Sequence, residues 1–171
     1  YIFFGPDGGA KKEFAESLAA YLETGEWPPA RPGEAPGIRP LTDAQVFAPL
    51  EGTIGIDISR AIREFLGGSP LRGSRRVAIV DEADAMTNEA QNALLKIAEE
   101  PPETALLVLI LRDPEALRPT LVSRFQKIYF GASDKESIAA GDEGHEDGMD
   151  MASKFLSVAP AGRKEFLKEL V

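Results

Sequence analysis

VAIVDEADAMTNEAQNALLKIAEEPPETALLVLILRDPEALRPTLVSRFQKIYF, residues 77–130, decides the fold of this chain. Residues 77–80 are apolar at every position, as expected of a parallel strand covered on both faces. Asp81 and Glu82 mark its exit. Thr87 is placed to cap a helix on which Ala90, Leu94, Leu95, Ile97 and Ala98 face inward, and Pro101-Pro102 ends that helix. Residues 105–111 repeat the buried-strand pattern. Short helical turns at 114–117 and 119–124 lead to a last strand at 127–130. Strand, helix and strand in this order predict an α/β domain with a central parallel sheet.

The flanking sequence extends the pattern. Residues 1–4 form a short strand, 5–9 a turn-rich loop, and 10–22 a helix with Phe14, Ala15, Leu18, Ala19 and Leu22 at helical spacing. Residues 24–40 are dense in Pro and Gly, so neither helix nor strand runs through them, and they read as a surface insertion with Trp27 against the body. A second strand is expected at 45–50. A helix is expected at 56–66, with Ile58, Ile62, Phe65 and Leu66 on one face and Gly67-Gly68 stopping it. The α/β domain is therefore expected over 1–132, followed by an acidic, glycine-rich linker at 133–150. Two helices at 151–159 and 161–170, parted by Pro160, would begin a small helical lid domain within 151–171.

Composition narrows the function classes. The 171 residues include 43% hydrophobic side chains, enough for a normal core, and no cysteine, which excludes disulfides and thiolate zinc sites. No apolar run approaches the ~20 residues of a membrane span, and no signal-type leader is present, so a soluble, cytoplasmic protein is expected. The chain opens at Tyr1 inside a strand pattern and without Met, as a trimmed or fragmentary chain would. A net charge of −9 argues against gripping nucleic acid unaided, because phosphate contacts rely on clustered Lys and Arg. Arg72, Arg75 and Arg76 are a local basic spot that equally suits a solvated strand entrance. His145 stands alone in the acidic linker, and Asp142, Glu143, Glu146, Asp147 and Asp150 fit no calcium loop.

Three motifs carry possible chemistry. A phosphate loop needs glycines that let backbone N–H groups surround phosphate oxygens, a Lys for the outer phosphates and a hydroxyl for magnesium. Gly5, Gly8 and Lys11 stand in that register, but Ala10 replaces the last glycine and Lys12 replaces the hydroxyl. Asp81 and Glu82, leaving a buried strand, suit the carboxylates that ligate magnesium and polarise an attacking water. Arg124, next to Ser123, suits an arginine supplied in trans to a transferring phosphoryl group. On the residues alone, each motif also fits a bland alternative: a plain turn, a solvated strand exit, a surface arginine. Asp81-Glu82-Ala83-Asp84 spells the tetrapeptide of an RNA helicase class whose other motifs are not visible.

In order and spacing, residues 5–130 resemble the ATPase modules (AAA+ family) of bacterial DNA polymerase III clamp loaders. The resemblance is closest in TIGIDISRAIREFL, in VAIVDEADAMTNEAQNALLKIAEEPPETALLVLIL and in RDPEALRPTLVSRF. It implies an AAA+ domain that works in a hetero-oligomeric ring of motor (gamma/tau), delta and delta-prime subunits. That ring sets a sliding clamp on primed DNA. The family's trans-acting arginine lies in a Ser-Arg-Cys motif, which falls on Ser123-Arg124-Phe125 here. Ala10 and Lys12 point to the delta-prime type, whose phosphate loop is often defective. On this resemblance Gly5, Gly8, Lys11, Asp81 and Glu82 are remnants of a nucleotide site, Arg124 is exported, and no cofactor or metal is expected. ATP with magnesium would enter only if the loop still binds it. The polar sensor usual after the 105–111 strand is replaced by Leu111-Arg112, and the family's zinc module by the 24–40 insertion. The alternatives are a hydrolysing gamma/tau-type motor and a nucleic-acid-binding or helicase fragment.

Overall fold

The computed structural model describes residues 1–6, 8–26 and 41–131. Trp27 and the rest of the insertion after Glu26, the 133–150 linker and the 151–171 lid segment lie outside the described residues.

Five strands, Ile2–Phe4 (β1), Ala44–Phe47 (β2), Arg76–Val80 (β3), Ala105–Ile110 (β4) and Lys127–Tyr129 (β5), form one sheet in the order β2-β3-β4-β1-β5. Every pairing is parallel, with Phe47 opposite Val80, Val80 opposite Leu109, and Phe3 between Ile110 and Ile128. Helices Gly8–Thr24 (α1), Ile56–Leu66 (α2), Asn88–Glu99 (α3) and the short Pro119–Val122 (α4) make the connections. Two 3-10 turns, Ala83–Ala85 and Pro114–Ala116, complete the order. The α/β class expected from the sequence is the class observed.

Side chains alternate across the sheet and build two cores. Val77 and Ile79 of β3 join Phe3, Phe14, Leu18, Val108 and Phe130 beneath α1. Ala78 and Val80 join Ile62, Leu66, Leu94, Leu109 and Leu121 beneath α2, α3 and α4. Covering both faces is what demands apolar residues at positions 77–80 of β3. Leu94 and Ile62 are fully buried, each contributing about 2–3 kcal/mol of transfer free energy.

The element ends show what sets them. Thr87 caps α3 as expected, its Oγ1 accepting from the Ala90 N–H at 3.2 Å. α1 begins at Gly8 rather than at residue 10, because a first-turn glycine gives up no intrahelical N–H bond. α2 stops before Gly67 as expected, but Gly67 has φ −72°, so no left-handed cap forms. Instead the Arg76 guanidinium donates to the Phe65 carbonyl at 3.0 Å and the Ser69 carbonyl at 2.9 Å, lying 5.0 Å over the Phe65 ring. A Cβ on Gly68 would sit 2.8 Å from Arg76 Nη1, so the glycine makes room for an arginine cap. β2 occupies 44–47 rather than 45–50, since the chain then leaves the sheet into a tight turn. There Leu50 and Thr53 exchange backbone hydrogen bonds, with positive φ at Glu51 and Gly52.

Candidate functional site

The carboxyl ends of β1, β3 and β4 bring the first two motifs together. Gly5 leaves β1 at φ 121°, its N–H donating to the Arg112 carbonyl at 3.0 Å. A Cβ there would lie 2.2 Å from the Phe130 carbonyl oxygen, so the position admits glycine alone. Gly8 is already the first residue of α1.

The two lysines that follow are both engaged within the chain. Lys11 is buried, and its Nζ donates to the carbonyls of Gly5 and, at 2.7 Å, Leu111. A buried ammonium is tolerated only with such partners, and this one clasps the exit of β1 to the exit of β4. Lys12 donates from Nζ to Asp81 Oδ2 at 2.7 Å, with Asp81 19% exposed. The other Asp81 oxygen accepts from the Glu82 N–H at 3.1 Å, so both carboxylate oxygens are occupied. The hydrogen bond to Asp81 raises the Lys12 pKa against the opposing effect of burial, with the charges of Asp81, Glu16 and Glu82 adding to the rise. Glu16, one helical turn along α1, has its own pKa raised by burial first, with Lys12 opposing and Asp81 and Glu13 contributing. Glu82 is exposed in the left-handed region, φ 50° and ψ 47°, which costs about 1–2 kcal/mol for a residue with a Cβ.

This donor set does not fit a magnesium–nucleotide complex. An ammonium cannot ligate a cation, and here it stands at the hydroxyl position of the motif, hydrogen-bonded to Asp81, one of the two carboxylates that would serve the metal. Among the described residues, no group of three or more Asp, Glu or His side chains could hold a metal ion. Leu111, where the resemblance expects a polar side chain, is buried, and its carbonyl serves Lys11. Arg112 is exposed and lines an open cleft of about 520 Å³ with Gly5, Pro6, Asp113 and Tyr129.

The third motif lies apart from these, against the far end of α3. Arg124 follows α4, and its Nη2 and Nε donate to Glu99 Oε1 at 2.7 and 3.1 Å. Nη1 reaches Ser123 Oγ at 3.2 Å, and Ser123 in turn donates to the Thr120 carbonyl. Phe125 packs half-buried against the α2–α3 core. The short helix is fixed by Gln91 of α3, a buried residue whose Nε2 donates to the Met86 carbonyl at 3.1 Å. Its Oε1 accepts from the Arg118 N–H at 2.8 Å.

Sequence reasoning did not single out Gln91, Glu99 or Asp43. The signal for Gln91 was a polar residue beside Ala90 and three before Leu94, on an apolar face. Asp43 gave none: its buried carboxylate accepts from the N–H groups of Leu71 and Arg72 at 2.6 Å and of Gly73 at 2.8 Å.

Residues 1–134 match the family model described as DNA polymerase III, delta subunit. The chain is 36% identical over 135 residues to the DNA polymerase III subunit gamma/tau of Mycobacterium tuberculosis, covering 72% of this chain and 23% of that one. It is 35% identical over 136 residues to the DNA polymerase III subunit delta' of Pseudomonas aeruginosa, covering 72% and 40% respectively. The crystal structure of a DNA polymerase III gamma subunit-related protein from Thermotoga maritima superimposes with a TM-score of 0.63 at 34% identity, over 77% of this chain and 40% of that one. The chain thus spans 23% to 40% of the length of these relatives.

Proposed function

This chain belongs to the DNA polymerase III, delta subunit family of clamp-loader subunits, and on that premise we propose that it works as a delta-prime-type stator. Its own nucleotide site is inert. Its contribution to ATP hydrolysis is Arg124, presented to the triphosphate held by an adjacent gamma/tau-type motor subunit. The observation that carries this is the Lys12–Asp81 ion pair, which puts a covalently attached cation where an active subunit needs a hydroxyl and a metal. The Lys11 ammonium, committed to two backbone carbonyls, supports the same view.

Mechanistically, the subunit is a rigid wall of the ring. The α2–α3 core holds α4 in place, and α4 ends at the exposed guanidinium. When the neighbour's site closes on that guanidinium, charge developing on the transferring phosphoryl group is stabilised without any chemistry in this chain. The partners are motor and delta subunits, and through the assembly a sliding clamp and primed DNA.

The motor reading remains a defined competitor, because the gamma/tau relatives match as closely as the delta' relative. ATPase measurement on the complex reconstituted with motor and delta subunits separates the two. Arg124→Ala should lower turnover at least tenfold, and Arg124→Lys should not restore it, since a point charge lacks the guanidinium fork. Mg-ATP turnover by this chain alone would instead establish a motor.

A further inference from the structure

Glu99 is the last residue of α3, where a carboxylate faces the negative end of the helix dipole, and Glu100 puts a second negative charge beside it. Local helix stability therefore does not account for a glutamate at this position. What accounts for it lies across the packing contact: a single oxygen of Glu99 takes both Nε and Nη2 of Arg124.

We infer that Glu99 is a positioning residue for Arg124. It grips the guanidinium by its Nε–Nη2 side, so that the remaining Nη2 donor stays available to a phosphoryl oxygen of the neighbouring subunit. This rests on the proposal that Arg124 acts in trans. Arg124 is otherwise a long, rotamer-rich side chain at the end of a four-residue helix, and orienting it costs entropy that a reaction needs spent in advance. The same helix also fixes the other end of α4, through Gln91 Oε1 on the Arg118 N–H. Ser123 Oγ meets Nη1 from the opposite side. α3 thus acts as a jig with two grips, one on the backbone that carries the arginine and one on its charged head.

An exposed ion pair adds little to stability, so the effect should appear in turnover and not in folding. The test is steady-state ATP hydrolysis by the complex reconstituted with motor and delta subunits, stimulated by clamp and primed DNA. Glu99→Ala should lower kcat about five- to tenfold with KM for ATP within about twofold of wild type, as loss of orientation predicts. Glu99→Gln keeps a carbonyl acceptor at the same reach and should hold kcat within about twofold of wild type. The thermal unfolding midpoint of the chain should be unchanged in both variants. Wild-type kcat in Glu99→Ala, with a large loss in Arg124→Ala, would overturn the positioning role and leave the exported arginine intact. Wild-type kcat in Arg124→Ala would overturn both. A lowered midpoint and equal losses in the Ala and Gln variants would reduce Glu99 to a structural residue and overturn the inference.

Discussion

Lys12 Nζ lies 2.7 Å from Asp81 Oδ2, and that contact joins α1 to the exit of the buried β3 strand. Asp81 is the more buried partner, so its charge is met by a cation that cannot diffuse away. Calorimetric titration of Mg-ATP into the chain should give no saturable heat up to about 1 mM. The double variant Ala10→Gly/Lys12→Thr, which restores the last glycine and the hydroxyl, should show magnesium-dependent binding below that limit. If wild type and variant titrate alike, the ion pair is not what disables the site.

Lys11 makes a different prediction, because its ammonium is a structural clasp. Lys11→Ala removes a buried charged donor and strands the carbonyls of Gly5 and Leu111, at a cost of about 3 kcal/mol. Lys11→Met fills the same volume and should cost less, though the two carbonyls stay unpaired. Chemical denaturation of the two variants beside wild type measures both. A loss below about 0.5 kcal/mol in Lys11→Ala would show that the clasp is not made in solution.

Asp43 ties stability to acid pH. Burial pushes its carboxyl pKa up, but the N–H groups of Gly73, Leu71 and Arg72 together with nearby Arg76 pull it down further, below the ordinary 3.8. A depressed folded-state value means that the stabilisation is complete above 3.8 and is lost as pH falls through the folded pKa. Asp43→Asn should therefore destabilise the chain by about 2–3 kcal/mol at neutral pH, and its deficit should shrink as the pH falls below 3.8. Urea unfolding across that range provides the check, and a deficit independent of pH would rule out the carboxylate's charge as the cause.

Much of this could be read in the sequence, and where it could not the reasons are physical. The apolar runs at β3 and β4 and the Thr87 cap are local signals, so strand, helix and order followed from them. The register of Gly5, Lys11, Lys12 and Asp81 was equally visible, since the parallel fold must gather strand ends at one edge. Which partner each lysine takes was not visible, because Leu111 is 100 residues from Lys11 and Asp81 is 69 from Lys12. Glu99 gave no signal in the sequence, because Arg124, the partner that explains it, lies 25 residues further on. The arginine cap on α2 was hidden for the same reason: Gly67-Gly68 carries the stop in the sequence, but the donor comes from the start of β3.

Gly5 offers the sharpest test of how tightly the strand ends are packed. Its N–H bonds the Arg112 carbonyl beyond β4, while the Phe130 N–H just after β5 bonds the Phe4 carbonyl, so the chain threads between two neighbours at this residue. At φ 121° any side chain is strained, and a Cβ would stand 2.2 Å from the Phe130 carbonyl oxygen and 3.1 Å from the Tyr129 ring. The backbone on both sides is held by sheet hydrogen bonds and cannot retreat cheaply. Gly5→Ala should therefore lower stability by about 3–4 kcal/mol or prevent folding outright, far more than a glycine-to-alanine change at a relaxed position. Gly25→Ala is the control, because it too has positive φ but meets nothing within 4 Å among the described residues. It should cost only the backbone strain, about 1–2 kcal/mol. Equal losses in the two variants, measured by thermal and chemical unfolding, would mean that the conformation alone matters and that the close approach of Phe130 does not.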